Sequence, residues 1–159
     1  MSLEQIMKWK MAGHIVITGG EPLLQDLDDL IHALHVKGCY VQIETSGGTD
    51  FKGLVYPNWI TWSPKPSLDW FLNGDGWVNS LAWKHINEVK WVVEEALTWE
   101  TVNRVNDALQ TNNPINIFMP EGCPPSRANV EQAINFVKQV PVNADWRYGD
   151  RLQWRLGVR

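Results

Sequence analysis

The chain has 159 residues, 44% of them hydrophobic and 20% charged, which is enough for one core and short for two, so a single domain spanning 1–159 is expected. Lys and Arg number 14 against 18 Asp and Glu, giving a formal charge of -4 with no basic run, which argues against sequence-independent nucleic-acid binding. No apolar stretch approaches the roughly 20 residues that cross a bilayer, MSLEQIMKWK lacks the apolar core of a secretion signal, and Cys39 and Cys123 are the only cysteines. A soluble, cytoplasmic protein is expected, with neither a disulfide scaffold nor a complete four-thiolate metal site.

Ser2 and Gln5 fit a capping box, and Leu3, Ile6, Met7 and Met11 recur at helical spacing before Gly13. The run His14 to Thr18 is a strand closed by Gly19 and Gly20, followed by a helix with Leu27, Leu30, Ile31 and Leu34 as its stripe and Gly38 as its stop. Cys39 to Ile43 repeats the pattern, a buried strand ending in the polar, glycine-rich Glu44-Thr45-Ser46-Gly47-Gly48. Trp59 to Trp62 is a third strand, running into Ser63-Pro64-Lys65-Pro66, whose prolines end regular structure, and 66–80 reads as irregular. Val89 to Val93 is β-rich, Thr98 caps a helix through about Leu109, and Ile115 to Phe118 leads into the turn Met119-Pro120-Glu121-Gly122. Ser126 caps a helix carrying Val130, Ile134 and Val137, and Arg151 to Leu156 is a sixth strand. Strands alternating with helices predict an α/β protein with a mostly parallel sheet.

In such sheets ligands bind at the edge where the strands' C-terminal ends meet their loops. Those loops hold Thr18 to Pro22, Glu44 to Gly48, Ser63 to Pro66 and Pro120 to Gly122. Glycine turns admit close backbone approach, a carboxylate can hold an amine and a lysine a carboxylate, so a small zwitterion suits the set. Taken singly, each piece has an ordinary explanation: Gly19 and Gly20 as turn glycines, Glu44 as a solvated strand-end carboxylate, Lys65 as surface. His32 and His35, three apart on a helix, read as solvated or packed rather than metal-binding. The 10 tryptophans lack interleaved basic residues and read as core and rim, not as a base-stacking platform.

Taken together, ITGGEPLLQ (Ile17 to Gln25), QIETSG (Gln42 to Gly47), SPKP (Ser63 to Pro66), NEVKWVV (Asn87 to Val93), the MPEG turn and the closing RLQWRLGVR resemble the 7-carboxy-7-deazaguanine synthases. These are radical S-adenosylmethionine enzymes of the queuosine and 7-deazaguanine pathway, and the resemblance runs in order from about residue 3 to the C-terminus. It implies a partial (β/α) barrel of the radical S-adenosylmethionine type, with the first strand and cluster loop missing. It implies a lyase that converts 6-carboxytetrahydropterin to 7-carboxy-7-deazaguanine by hydrogen abstraction, ring contraction and loss of ammonia. By similarity, Gly19, Gly20 and Glu21 would hold the amino group of S-adenosylmethionine, Ser63-Pro64-Lys65 its ribose and carboxylate region, and Met119, Pro120 and Glu121 its adenine side. Thr18 and Glu44 would face the pterin.

The family also uses a [4Fe–4S] cluster, bound by a CxxxCxxC motif upstream of GGEP, and Mg2+. Neither the motif nor the metal ligand is present here, and Cys39 and Cys123 are too far apart in sequence to replace the motif, so the chain is expected to be inert as given. Trp154-Arg155 stands where family members often have histidine-lysine. The strand at His14 is expected to present an unpaired edge or meet another chain, giving a homodimer or larger assembly. Two alternatives share GGEP: a glycyl-radical activase, and a binding protein that keeps the S-adenosylmethionine pocket without redox chemistry.

Overall fold

The computed structural model describes residues 3–8, 13–47, 53, 55–64, 85–109, 113–139 and 144–150. After a short helix α1 (Leu3–Met7) come β1 (His14–Ile17), α2 (Asp28–Val36), β2 (Tyr40–Thr45), β3 (Trp59–Trp62), β4 (Glu88–Val93), α3 (Trp99–Ala108), β5 (Ile115–Pro120), α4 (Arg127–Lys138) and β6 (Trp146–Tyr148). All five strand pairings are parallel, and the order across the six-stranded sheet is the order along the chain. A parallel sheet wound in one direction, with β1 and β6 as its two ends among the described residues, is an open arc: a partial (β/α) barrel.

Local signals set the starts of α3 and α4 and the end of α2 where the sequence places them. The Thr98 hydroxyl accepts from the Thr101 amide at 3.2 Å and the Ser126 hydroxyl from the Asn129 amide at 3.1 Å, each satisfying an amide that its helix leaves unpaired. Gly38, at φ +75°, ends α2 in the left-handed conformation that glycine adopts without strain.

Three expectations need correction, and the last expected strand lies outside the described residues. β2 runs on through Glu44 and Thr45 because both pair with β3, opposite Thr61 and Trp62, and Cys39 lies just before it. β5 takes in Met119 and Pro120, which pair with Val92 and Val93; a proline fits there at the last strand position, where no further amide is needed. The sixth strand is Trp146–Tyr148, while the expected strand at 151–156 falls outside the described residues, as do Lys65, the irregular stretch 66–80 and Trp154-Arg155. On α4 the buried residues are Ala133 and Phe136, with Val130 and Val137 half-buried and Ile134 exposed, so the core stripe is rotated from the expected one.

Burial alternates along β2, β4 and β5, so one face of the sheet is covered and the other, the open face, is half-buried, with Thr61 of β3 fully buried on it. Two apolar clusters lie on the covered face. The first gathers Leu27, Ile31 and Leu34 around α2 against Val41 and Ile43. The second is larger and aromatic: Trp62, Trp91, Phe118 and Phe136 with Val89, Val93, Leu97 and Val102, bordered by Trp99 and Trp146. Phe118 and Phe136 stack with ring centroids 5.0 Å apart, and the buried Trp91 indole donates to Asn116 Oδ1 at 2.7 Å. The described tryptophans thus act as core and rim.

Candidate functional site

At the C-terminal end of β1, Thr18, Gly19 and Gly20 are exposed, with φ +94° and +56° at the two glycines. A Cβ at either glycine would meet nothing within 4 Å, so open space lies in front of this turn; the positive φ is what calls for glycine. Glu21 follows in extended conformation and caps a 3-10 turn at Pro22–Leu24.

The Glu21 carboxylate is the knot of this edge. Oε1 accepts from the Thr45 hydroxyl at 2.6 Å and the Leu23 amide at 3.1 Å; Oε2 accepts from the Ser46 hydroxyl at 2.6 Å and the Ser46 amide at 2.9 Å. Burial pushes its pKa up, but the hydroxyls of Ser46 and Thr45 and the amides of Leu23 and Ser46 outweigh that and hold it below the ordinary carboxylate value. The tie continues into β3: the Trp62 indole donates to the Ser46 carbonyl at 3.0 Å and the Ser63 amide to the Thr45 carbonyl at 2.8 Å. Thr45 and Ser46, which by sequence are only polar members of the glycine-rich loop, thus join three strand ends. Their signal was the hydroxyl pair directly after Glu44.

Ser63 is half-buried and Pro64 fully buried at the end of β3. On β5, Met119 lies half-buried on the open face and Pro120 buried on the other; Glu121 is exposed, and its amide donates to the Val93 carbonyl at 2.9 Å. Gly122 has φ +107°, and a Cβ there would come within 2.9 Å of the Pro124 carbonyl oxygen. The segments expected to contact S-adenosylmethionine therefore lie along one sheet edge, at the ends of β1, β3 and β5. Thr18 and Glu44 each follow the paired residues Ile17 and Ile43, which makes them neighbours across the first strand pair.

The open face carries what the sequence reading missed. The His14 ring Nε2 donates to Gln42 Oε1 at 2.9 Å, Gln42 Nε2 donates to the Thr61 hydroxyl at 2.9 Å, and that hydroxyl donates to Glu88 Oε1 at 3.1 Å, a line of bonds across four strands. Beside it the Lys90 ammonium donates to Glu44 Oε1 at 2.7 Å. At the far end the Asp145 carboxylate first, and the Glu88 charge to a smaller extent, raise the pKa of Arg147. The legible signal was polar residues at every second position of strands otherwise rich in Val and Ile: Gln42 and Glu44, then Glu88 and Lys90. His32 is exposed on α2, and His35 is bonded to Asn58 Oδ1 at 3.0 Å.

Among the described residues no three His, Cys, Asp or Glu side chains are grouped to hold a metal. Cys39 is buried before β2 and Cys123 exposed after β5, at opposite ends of parallel strands, so the two do not fit a shared iron–sulfur cluster. No helix among the described residues is long and apolar enough to cross a membrane.

A parallel sheet carrying α2, α3 and α4 on one face, polar side chains on the open, inner face and a glycine turn at its edge defines an α/β partial barrel, a class of fold in which small ligands lie at the strand ends. No protein-family model matches the chain. In sequence it is similar to the 7-carboxy-7-deazaguanine synthase of Escherichia coli (strain K12), 36% identical over 104 residues, 65% of this chain and 44% of that protein. The Buchnera aphidicola synthase is 30% identical over 155 residues, 98% of this chain and 64% of that protein. The crystal structure of QueE from Escherichia coli superposes with a TM-score of 0.68 at 26% identity, covering 95% of this chain and 64% of that one. The chain is thus a relative, in sequence and in fold, of the 7-carboxy-7-deazaguanine synthases, and it spans less than two thirds of the length of these relatives.

Proposed function

We propose that this chain is the strand-end and inner-face portion of a 7-carboxy-7-deazaguanine synthase, a radical S-adenosylmethionine lyase of queuosine and 7-deazaguanine biosynthesis working in the cytoplasm as a homodimer. One observation carries the reading: in a relative of these synthases, the positive-φ turn Gly19-Gly20 opens onto free space beside the edge that Glu21, Thr45 and Ser46 hold together. Backbone groups of this turn can meet the ammonium of S-adenosylmethionine, with Ser63 and Lys65 on its ribose and carboxylate and Met119 to Glu121 along its adenine. All four acceptor sites of Glu21 are already occupied, so its part is to hold the turn against β2. Thr18 and Glu44 would face the pterin from the inner face.

When bound, S-adenosylmethionine at a reduced [4Fe–4S] cluster supplies hydrogen-atom abstraction, and Mg2+ assists in the family. The cysteines of this chain do not make the cluster site, so the residues here bind and orient, and the redox step belongs to ligands outside them.

Calorimetric titration with S-adenosylmethionine tests the reading. The chain should bind weakly, Gly20→Val should abolish binding, Lys65→Ala should weaken it by about 1–3 kcal/mol, the scale of a charge-assisted hydrogen bond, and His32→Ala should leave it unchanged. Equal effects from all three, or tight pterin binding with none of S-adenosylmethionine, would place the site on other loops. Anaerobic reconstitution with iron and sulfide should leave the chain without a stoichiometric cluster, since two thiols cannot supply three ligands. Light scattering checks the dimer.

A further inference from the structure

The inner face is crowded with polar groups, but most of their bonding capacity is spent internally. Both ends of the Gln42 amide are engaged, by His14 and by Thr61, and the Thr61 hydroxyl accepts from Gln42 and donates to Glu88. Glu44 differs. Lys90 takes its Oε1, while Oε2 has no hydrogen-bond partner among the described residues, and the side chain remains 32% exposed. It is therefore a carboxylate with one oxygen anchored and one presented.

The anchor is unusual in its reach. Glu44, Thr61 and Glu88 share one row across β2, β3 and β4, and Lys90 sits one same-face step further along β4. Strands two apart are separated by about 10 Å, so the lysine stem must cross β3 to touch Glu44 although Glu88 lies on its own strand. Two features direct it there. The residue crossed is Thr61, small and held sideways by Gln42, and Glu88 already accepts the Thr61 hydroxyl.

We propose that Lys90 is a positioning residue: it selects a single orientation of Glu44 and so aims Oε2 at an N–H edge of a ligand on the inner face, with the Gln42–Thr61–Glu88 line keeping the lysine committed to Glu44. This rests on the placement of Glu44 before the pterin proposed above.

The test has a ligand-free arm and a ligand arm, both on the chain as given. With 13C-labelled glutamate, side-chain three-bond couplings of Glu44 should report one rotamer in the parent, rotamer averaging in Lys90→Met and one rotamer again in Lys90→Arg. Averaging in the parent, or no change in Lys90→Met, overturns the proposal whatever the ligand does. In the second arm, 6-carboxytetrahydropterin affinity should fall about tenfold in Lys90→Met and recover in Lys90→Arg, and the loss should vanish when Glu44→Gln is already present. A loss of equal size in the Glu44→Gln background means that Lys90 acts independently of Glu44 and also overturns it. If the rotamers behave as expected and no pterin affinity depends on Glu44, the positioning role stands and the assignment of the ligand falls.

Discussion

The two faces of this one sheet are stabilised in different ways. On the covered face, contiguous apolar side chains from alternate strand positions meet α2, α3 and α4, and the aromatic cluster around Phe118 excludes water. On the open face the described side chains are held by hydrogen bonds to one another, strand by strand, and several remain half-exposed. Burial gives the first face its free energy without direction, while hydrogen bonds give the second its direction with little net free energy. A binding surface needs the second kind, because its polar groups must already point the right way before a ligand arrives.

Substitutions should separate the two. Phe118, fully buried between Trp91, Phe136 and Trp146, should cost about 3–5 kcal/mol as Phe118→Ala, read from urea unfolding, since it loses transfer free energy and leaves a cavity. A cost below about 1 kcal/mol would mean that the aromatic cluster is not the core of the molecule.

Next comes the edge joining the faces. Glu21→Gln keeps the shape but turns an amide NH2 towards a donor that cannot reverse, the Leu23 or Ser46 amide, for an expected loss of about 1–3 kcal/mol. The pH dependence carries a sign. Because the folded pKa of Glu21 is lowered, its contribution is present above the unfolded value and fades as pH falls through the folded one, so the gap between parent and Glu21→Gln should narrow on acidification. A gap that widened in acid would contradict the assigned bonds.

The open face should give the smallest effects on stability. Thr61→Val removes one donor and one acceptor from the line of bonds and should cost about 1 kcal/mol. Lys90→Met should change stability by less than about 1 kcal/mol, as a partly exposed ion pair does, while changing the behaviour of Glu44 as proposed. If Lys90→Met destabilised the chain as much as Phe118→Ala, the contrast between the faces would collapse.

Much of the fold was legible in the sequence because its signals are local. Thr98 and Ser126 cap the helices that their positions suggest, Gly38 stops α2, and five strands lie where the β-rich runs are. The strand ends were less legible: Glu44, Thr45, Met119 and Pro120 look like loop until a neighbouring strand supplies their partners. β6 was overlooked because Trp146-Arg147-Tyr148 is three residues long and gains its strand character only by lying beside β5.

The candidate edge divides along the same line. Alternation and glycine turns, set by the chain's own stereochemistry, announced where Gly19, Gly20 and Glu44 would fall. That Glu21 is bonded to Ser46, 25 residues away, and Lys90 to Glu44, 46 residues away, depends on which strands become neighbours and in what register. Period-two patterning says that Gln42, Glu44, Glu88 and Lys90 share one side of their strands. Only the packing of α2, α3 and α4 on the opposite side decides which side that is, and only the parallel pairing through β3 brings the lysine within reach of the carboxylate, because hydrogen bonds act over a few ångströms that the sequence alone does not measure.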